Sequence, residues 1–357
     1  MKNTIKIVFR ALSIVFGIFG IMTAISFWPF LRATRAVEKL DEGLYYMEYH
    51  GDDGFDKLME KGGIRNTAEL AAYVTEFLSN GFSKAPSAPA EPAEYGCSAL
   101  TVSTPEGGAL MGRNFDFDSA TGMILHTYPK HGYESITTFN VEFFGFGEGW
   151  LPESFKNKYL SLTGLFIALD GVNEKGLAIA DLMAGDNVET HQDTGKPALT
   201  TTAAIRYLLR NAADVDEAIE LLEGIDMHSD IGSAHHYAIS DASGKSVVVE
   251  YVDNRMVVVD SHIAANHYLC EEKLNVGLLE DDGRYDTMYG LYQDAEGVMS
   301  LEDLTEAIQS VSQPEHEGEF LGTAWTMVMD LGNPSVTYWS RRHYDKAFHF
   351  EIDTTGQ

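Results

Sequence analysis

Apolar and polar positions divide this chain into three textures. Residues 11–31, "ALSIVFGIFGIMTAISFWPFL", carry no charge; at a helical rise of about 1.5 Å they would span roughly 31 Å, one bilayer core. From Leu40 to Gly81 the spacing predicts a small, compact helical piece. Asn66 with Glu69 three residues on has the form of a helix N-cap box. Leu70, Tyr73, Val74, Phe77 and Leu78 then follow helical spacing, and Gly81 is a stop. Residues 82–96 hold Pro86, Pro89 and Pro92, which rules out a central strand or a long helix and reads as an exposed linker.

Beyond Gly96 the pattern turns to strands. "SALTVST", a Pro-Glu-Gly-Gly turn and "ALMGRNFDF" predict a hairpin. "LTGLFIALDG", "KGLAIADLM", "HYAISDASGKSVVVEY" and "RMVVVDSHIAAN" continue as short apolar runs with turn residues between. "ALTTTAAIRYLLRNA" and "DVDEAIELLEG" predict helices, the second capped by Asp214, and "TAWTMVMDL", "SVTYWSR" and "KAFHFEI" close the chain as strands. Strands, then helices, then strands, with few βαβ alternations, predict an α+β fold with mostly antiparallel sheets.

Charge changes the picture in two places. The chain holds 25 basic and 54 acidic residues, a formal charge of −29. So acidic a body repels phosphate backbones, which excludes nucleic acid as a partner class. The first 39 residues run the other way: Lys2, Lys6 and Arg10 precede the uncharged run, and Arg32 and Arg35 follow it. That arrangement predicts either a signal peptide, cut near Ala24 and Ser26, or an uncleaved membrane anchor over residues 1–31. Both place the body outside the cytoplasmic membrane.

Two cysteines, Cys97 and Cys270, cannot build a disulfide framework, and pairing them would consume a candidate nucleophile. A free thiol near pKa 8.5 needs a base to be useful at neutral pH. One base is a histidine from elsewhere, with His267 beside Asn266 as candidate. The other arises if the chain is cut between Gly96 and Cys97. The new α-amine, at about 7.7–8.0, is far more often neutral than a lysine at about 10.4 and is held beside its own thiol. A glycine before the bond and a proline-rich linker suit such a cut. On local chemistry alone, a small cysteine buried in a strand is the favoured explanation of the residue.

The stretch "CSALTVSTPEGGALMGRNFDFD" resembles the start of the choloylglycine hydrolase family of N-terminal-nucleophile (Ntn) enzymes, which includes bile salt hydrolases, penicillin V acylases and, more distantly, acid amidases. In that family an Arg follows the Cys by sixteen residues and an Asp by nineteen, within G-R-N-x-D; here these are Arg113 and Asp116. "DGVNEKGLAIADL" resembles the family's Asn-Glu-Lys-Gly-Leu turn and carries Asn173. "AANHYL" supplies Asn266 and "DDGRYDTMYGL" supplies Arg284, so the likeness runs from Cys97 to about Arg284.

The resemblance implies a four-layer αββα sandwich over residues 97–357, with residues 32–96 as a leader and no metal or cofactor. It implies Cys97 as nucleophile, its freed amine as base, Asp116 orienting that amine and Arg113 favouring the thiolate. Asn173 and Asn266 would donate to the oxyanion, and Arg284 would close the network with Asp116. His235, His236 and His267 lack metal-ligand spacing and read as structural. The partner expected is a small amide; pocket loops over residues 117–160, rich in aromatics ("FNVEFFGFGEGW"), suit an apolar acyl group, and a core role for those rings fits equally. The membrane would be a partner if residues 11–31 stay attached, and a homo-oligomer is compatible. The leader of 96 residues and Asn266-His267-Tyr268 both depart from the bile salt hydrolase pattern. A penicillin V acylase, an acyltransferase of the same fold, and a tethered binding protein without catalysis are the rival readings.

Overall fold

The computed structural model describes residues 27–79, 96–117, 120–144, 150–229, 232–277, 283–314 and 322–354. Among these, a nine-stranded sheet has the order β1 (Glu38–Asp41), β2 (Leu44–Gly51), β5 (Gly122–Pro129), β6 (Ser135–Asn140), β7 (Asp170–Asn173), β8 (Ala178–Met183), β11 (His235–Ser240), β12 (Ser246–Val252), β13 (Arg255–Asp260). A six-stranded sheet runs β14 (Ile263–Ala264), β3 (Gly96–Ser103), β4 (Ala109–Asp116), β15 (Thr323–Asp330), β16 (Ser335–Ser340), β17 (Phe348–Glu351). β9 (Ala198–Thr200) and β10 (Asp226–His228) form a small parallel pair, and β2 with β5 is the other parallel pairing among these strands. The fold is α+β with mostly antiparallel sheets, as the short apolar runs predict.

Strand alternation sorts side chains into layers. On β3, Cys97 and Ala99 face the core between the two sheets, whereas Leu100 and Val102 face outward. On β15, Trp325, Met327 and Met329 point inward and Val328 outward. A period of two thus gives each sheet two buried faces. Helices cover both outer faces. α3 (Thr67–Leu78), α4 (Phe155–Leu160), α5 (Thr201–Asn211) and α6 (Val215–Glu223) lie on the side of the larger sheet, and α7 (Arg284–Asp294) and α8 (Leu301–Ser310) on that of the smaller. The result is helix, sheet, sheet, helix.

The caps are where the sequence puts them: Asn66 accepts from the Glu69 N–H at 2.9 Å and Asp214 from the Glu217 N–H at 2.9 Å.

The piece before Cys97 is not purely helical. Residues 27–36 form a helix (α1), but residues 38–51 supply β1 and β2, and only then come α2 (Phe55–Glu60) and α3. "LYYMEYHG" is aromatic-rich and pairs over its whole length with β5, a partner helical spacing could not reveal. Phe30, Tyr45, Met47, Tyr49, Phe55 and Leu70 join the same core as α5 and α6. Arg210 of α5 reaches back to Asp53 at 2.8 Å and Asp56 at 3.0 Å.

Most of the uncharged run, and the linker before Gly96, lie outside the described residues. Among the described residues no helix is long and apolar enough to cross a membrane.

Candidate active site

The hairpin β3–β4 sets the first geometry. Its register places Gly96 opposite Asp116 and Ala99 opposite Arg113. β14 pairs beside β3, with Ala264 opposite Ala99, and so delivers Asn266 two residues later to the start of β3. Arg284 opens α7, which packs over the same end of the sheet.

These elements converge on Cys97. Its backbone N–H donates to Asn266 Oδ1 at 2.6 Å, and its carbonyl accepts from Arg284 Nη1 at 3.1 Å. Its sulfur accepts from Arg113 Nη1 at 3.3 Å. Arg284 Nη1 also lies 2.7 Å from Asp116 Oδ2, and its Nη2 donates to Asn266 Oδ1 at 3.0 Å. Thr323 holds the other Asp116 oxygen at 2.6 Å. Cys97, Arg113 and Asp116 are fully buried, while Asn266 and Arg284 are partly exposed, so water screens the Cys97–Arg113 contact least.

Burial pushes the Cys97 thiol up to about 12, against the opposing pull of the Arg113 charge. Arg113 is itself held from three sides. Its Nη2 donates to the Asp181 carbonyl at 2.9 Å, and Nη1 also reaches the Asn114 carbonyl. Its Nε is 2.7 Å from Asp170 Oδ2, an ion pair by distance whose N–H is not aligned as a hydrogen bond. Burial raises the Asp170 carboxyl, and Arg113 opposes that rise. Asp170 also accepts from Trp325 Nε1 at 3.0 Å.

Gly96 acquires a steric reason. A Cβ there would sit 3.0 Å from Asp116 Oδ2 and 3.3 Å from Arg284 Nη1, pressing on that ion pair.

Five of the six expected residues therefore come together; Asn173 does not join them. Its Nδ2 donates to the Leu209 and Ala212 carbonyls at 2.9 and 2.8 Å, and its Oδ1 accepts from the Lys175 and Leu177 N–H groups. Both hydrogens of the amide are spent on the end of α5 and its oxygen on the β7–β8 turn, so it has no donor left for an oxyanion. Asn173→Ala should cost on the order of 2–3 kcal/mol in chemical denaturation, since three buried backbone groups and the part-buried Lys175 N–H lose a partner. Turnover per folded molecule should stay within about threefold; a fall of a hundredfold at unchanged stability would put Asn173 back in the chemistry.

Asp170, Thr323 and Trp325 are residues that sequence reasoning missed. The available signal was a lone carboxylate, Asp170, in the otherwise apolar run "GLFIALDGV". His267 is buried with its ring edge-on to Tyr285 at 4.9 Å. Cys270 is a buried free thiol, as is Cys97.

Residues 97–267 match the model of the linear amide C–N hydrolases, choloylglycine hydrolase family. A penicillin V acylase of Pectobacterium atrosepticum is 33% identical over 106 residues, covering 27% of this chain and 28% of that protein. A bile salt hydrolase/transferase of Clostridium perfringens is 26% identical over 180 residues, 47% of this chain and 51% of that protein. The chain thus spans about half or less of the length of these curated relatives. Among solved structures, a conjugated bile acid hydrolase from Clostridium perfringens superposes with a TM-score of 0.51 at 18% identity, covering 72% of this chain and 92% of that one. Penicillin V acylase from Agrobacterium tumefaciens gives 0.51 at 17%, covering 72% and 86%. Those two likenesses concern the fold. From the hairpin cysteine to the loop of Asn266, this part of the chain matches the choloylglycine hydrolase family of linear amide C–N hydrolases.

Proposed function

We propose that this chain hydrolyses a linear C–N amide, with Cys97 as an N-terminal nucleophile freed by cleavage after Gly96. The convergence of Asn266, Arg284 and Arg113 on the nitrogen, carbonyl and sulfur of one cysteine carries the reading. In the uncut chain, Sγ attacks the Gly96 carbonyl. A C–S bond forms, the C–N bond breaks, and the nitrogen keeps the thiol proton. Water then hydrolyses the thioester, which releases Gly96 as a carboxylic acid and returns the Cys97 thiol beside its already free α-amine.

That amine inherits the Asn266 Oδ1 contact. Burial holds the thiol a weaker acid than the ammonium, so proton transfer to the amine accompanies attack on the substrate carbonyl. The ammonium then protonates the departing amine. The neutral α-amine next takes a proton from water as that water opens the acyl-enzyme. One Asn266 Nδ2 hydrogen goes to the Met183 carbonyl at 3.0 Å; this reading directs the second at the oxyanion. Phe117 and Phe143, edge to face at 5.2 Å and packed against the core that holds Cys97, support an apolar acyl group. The uncharged run at residues 11–31 supports export, with the body secreted or tethered outside the membrane.

Residues 27–79 remain on the body after the cut in this reading, because their strands and buried side chains are part of its larger sheet and core. Intact-mass analysis should give a fragment starting at Cys97, and both fragments should elute together without denaturant. kcat/KM should fall as pH drops through the α-amine pKa, near 8, because only the neutral amine is a base. A chain that stays whole yet turns over amides at full rate would sink the reading.

A further inference from the structure

Asn266 lies on a loop between β14 and α7, and a loop alone would hold its side chain loosely. The loop is gripped from beneath. His236 of β11 and Glu250 of β12 lie one position beyond the Tyr237–Val249 pair and share the inner face with Ala238 and Val248. Both are fully buried. His236 Nδ1 is 3.2 Å from Glu250 Oε1, and its Nε2 is 2.9 Å from the carbonyl of Ala265, the residue before Asn266. Glu250 Oε1 accepts from the Leu269 N–H at 2.8 Å and Oε2 from the Cys270 N–H at 2.9 Å. The polar atoms of this pair thus fall on each other or on the backbone flanking Asn266. The loop also packs tightly: a Cβ at Gly185 would lie 2.4 Å from the Asn266 carbonyl oxygen, and one at Gly277 2.9 Å from it.

Burying an ionisable pair in a sheet is a poor route to stability, since apolar residues of like volume do as well or better. Its value here is geometric. We propose that His236 and Glu250 are positioning residues that fix the Ala265–Cys270 loop so that Asn266 Oδ1 meets the Cys97 nitrogen. They touch no reacting atom and act through Asn266. The inference rests on the proposed role of the Cys97 amine.

The charged and titratable groups around that amine are Asp116 and Arg113 from β4, Asp181 from β8, Arg284 from α7, and the Cys97 thiol. Asn266 Oδ1 accepts from the amine and favours its ammonium form. Displacing Asn266 therefore lowers the amine pKa, and the acidic limb of kcat/KM moves to lower pH. Asn266→Ala should move the limb down by about one unit, on the scale of a charge-assisted hydrogen bond. Glu250→Ala should move it the same way by about half a unit or more and lower kcat about tenfold or more, with KM within about twofold. His236→Gln, whose amide N–H can still reach the Ala265 carbonyl, should retain more kcat than His236→Phe.

All measurements are made on processed enzyme well below each variant's melting temperature; if Glu250→Ala does not fold, Glu250→Gln is read by the same criteria. A lowered melting temperature with the wild-type limb and kcat would reduce the pair to a structural role and overturn the inference. A wild-type enzyme with no limb from the α-amine would instead fail the parent reading.

Discussion

Cys97→Ala yields one full-length chain and no measurable amide turnover, a loss of at least about 10⁴-fold. In the proposed mechanism both effects come from one atom, because the sulfur that opens the Gly96 peptide is the sulfur that later takes the acyl group. Cys97→Ser separates them by degree. A hydroxyl has the same reach but is a far weaker acid, so the cut slows to hours or days and turnover falls with it. Gel electrophoresis and intact mass follow the cut, and amine release follows turnover. Cleavage after Gly96 persisting in Cys97→Ala would mean that another agent cuts the chain. Persisting turnover would mean that the nucleophile is elsewhere.

Arg113→Met costs about 3–5 kcal/mol, because it strands the buried carboxylate of Asp170. The melting temperature falls on the order of 10 °C. Activity falls about 100-fold in molecules that remain folded, since the thiolate loses a cation 3.3 Å away worth about one to three pKa units. Adding Asp170→Asn tells the two losses apart. The neutral amide still offers an oxygen to Trp325 and no longer needs a counterion, so most of the stability returns. The activity does not. Recovery of turnover to within about threefold in that double variant would mean that Arg113 serves only to neutralise Asp170.

The hairpin part of this site was readable because it is local. Sixteen and nineteen residues from Cys97, across one tight turn, fix Arg113 and Asp116 on the neighbouring strand whatever the rest of the chain does. Asn266 and Arg284 were readable through family likeness, Arg284 even as the partner of Asp116, but not from spacing. Their placement depends on β14 finding β3 and on α7 starting at Arg284 over that strand end, contacts that no local spacing encodes. Asn173 shows the opposite failure. Its motif suggested chemistry, while its turn with Gly176 was the better physical reading: Gly176, at φ +80°, closes the loop that saturates the Asn173 oxygen. Helix α8 carried a readable signal that went unread, the Ser300–Asp303 capping box. The strands of the leader were hidden for a further reason, since a parallel pairing needs a partner far along the chain.

The parallel match of β2 to β5 also bears on solubility. β1 now forms that border of the larger sheet, four residues long, with Glu38 and Lys39 exposed and Asp41 part-exposed. A short charged border discourages another chain from adding on. A protein begun at Cys97 would end that sheet at β5 instead, an eight-residue strand, "GMILHTYP", buried along most of its length in the complete fold. Its open backbone groups and apolar side chains would make a template for stacking copies edge to edge. Residues 38–51 therefore cover an edge of the larger sheet that would otherwise be open to pairing with another copy.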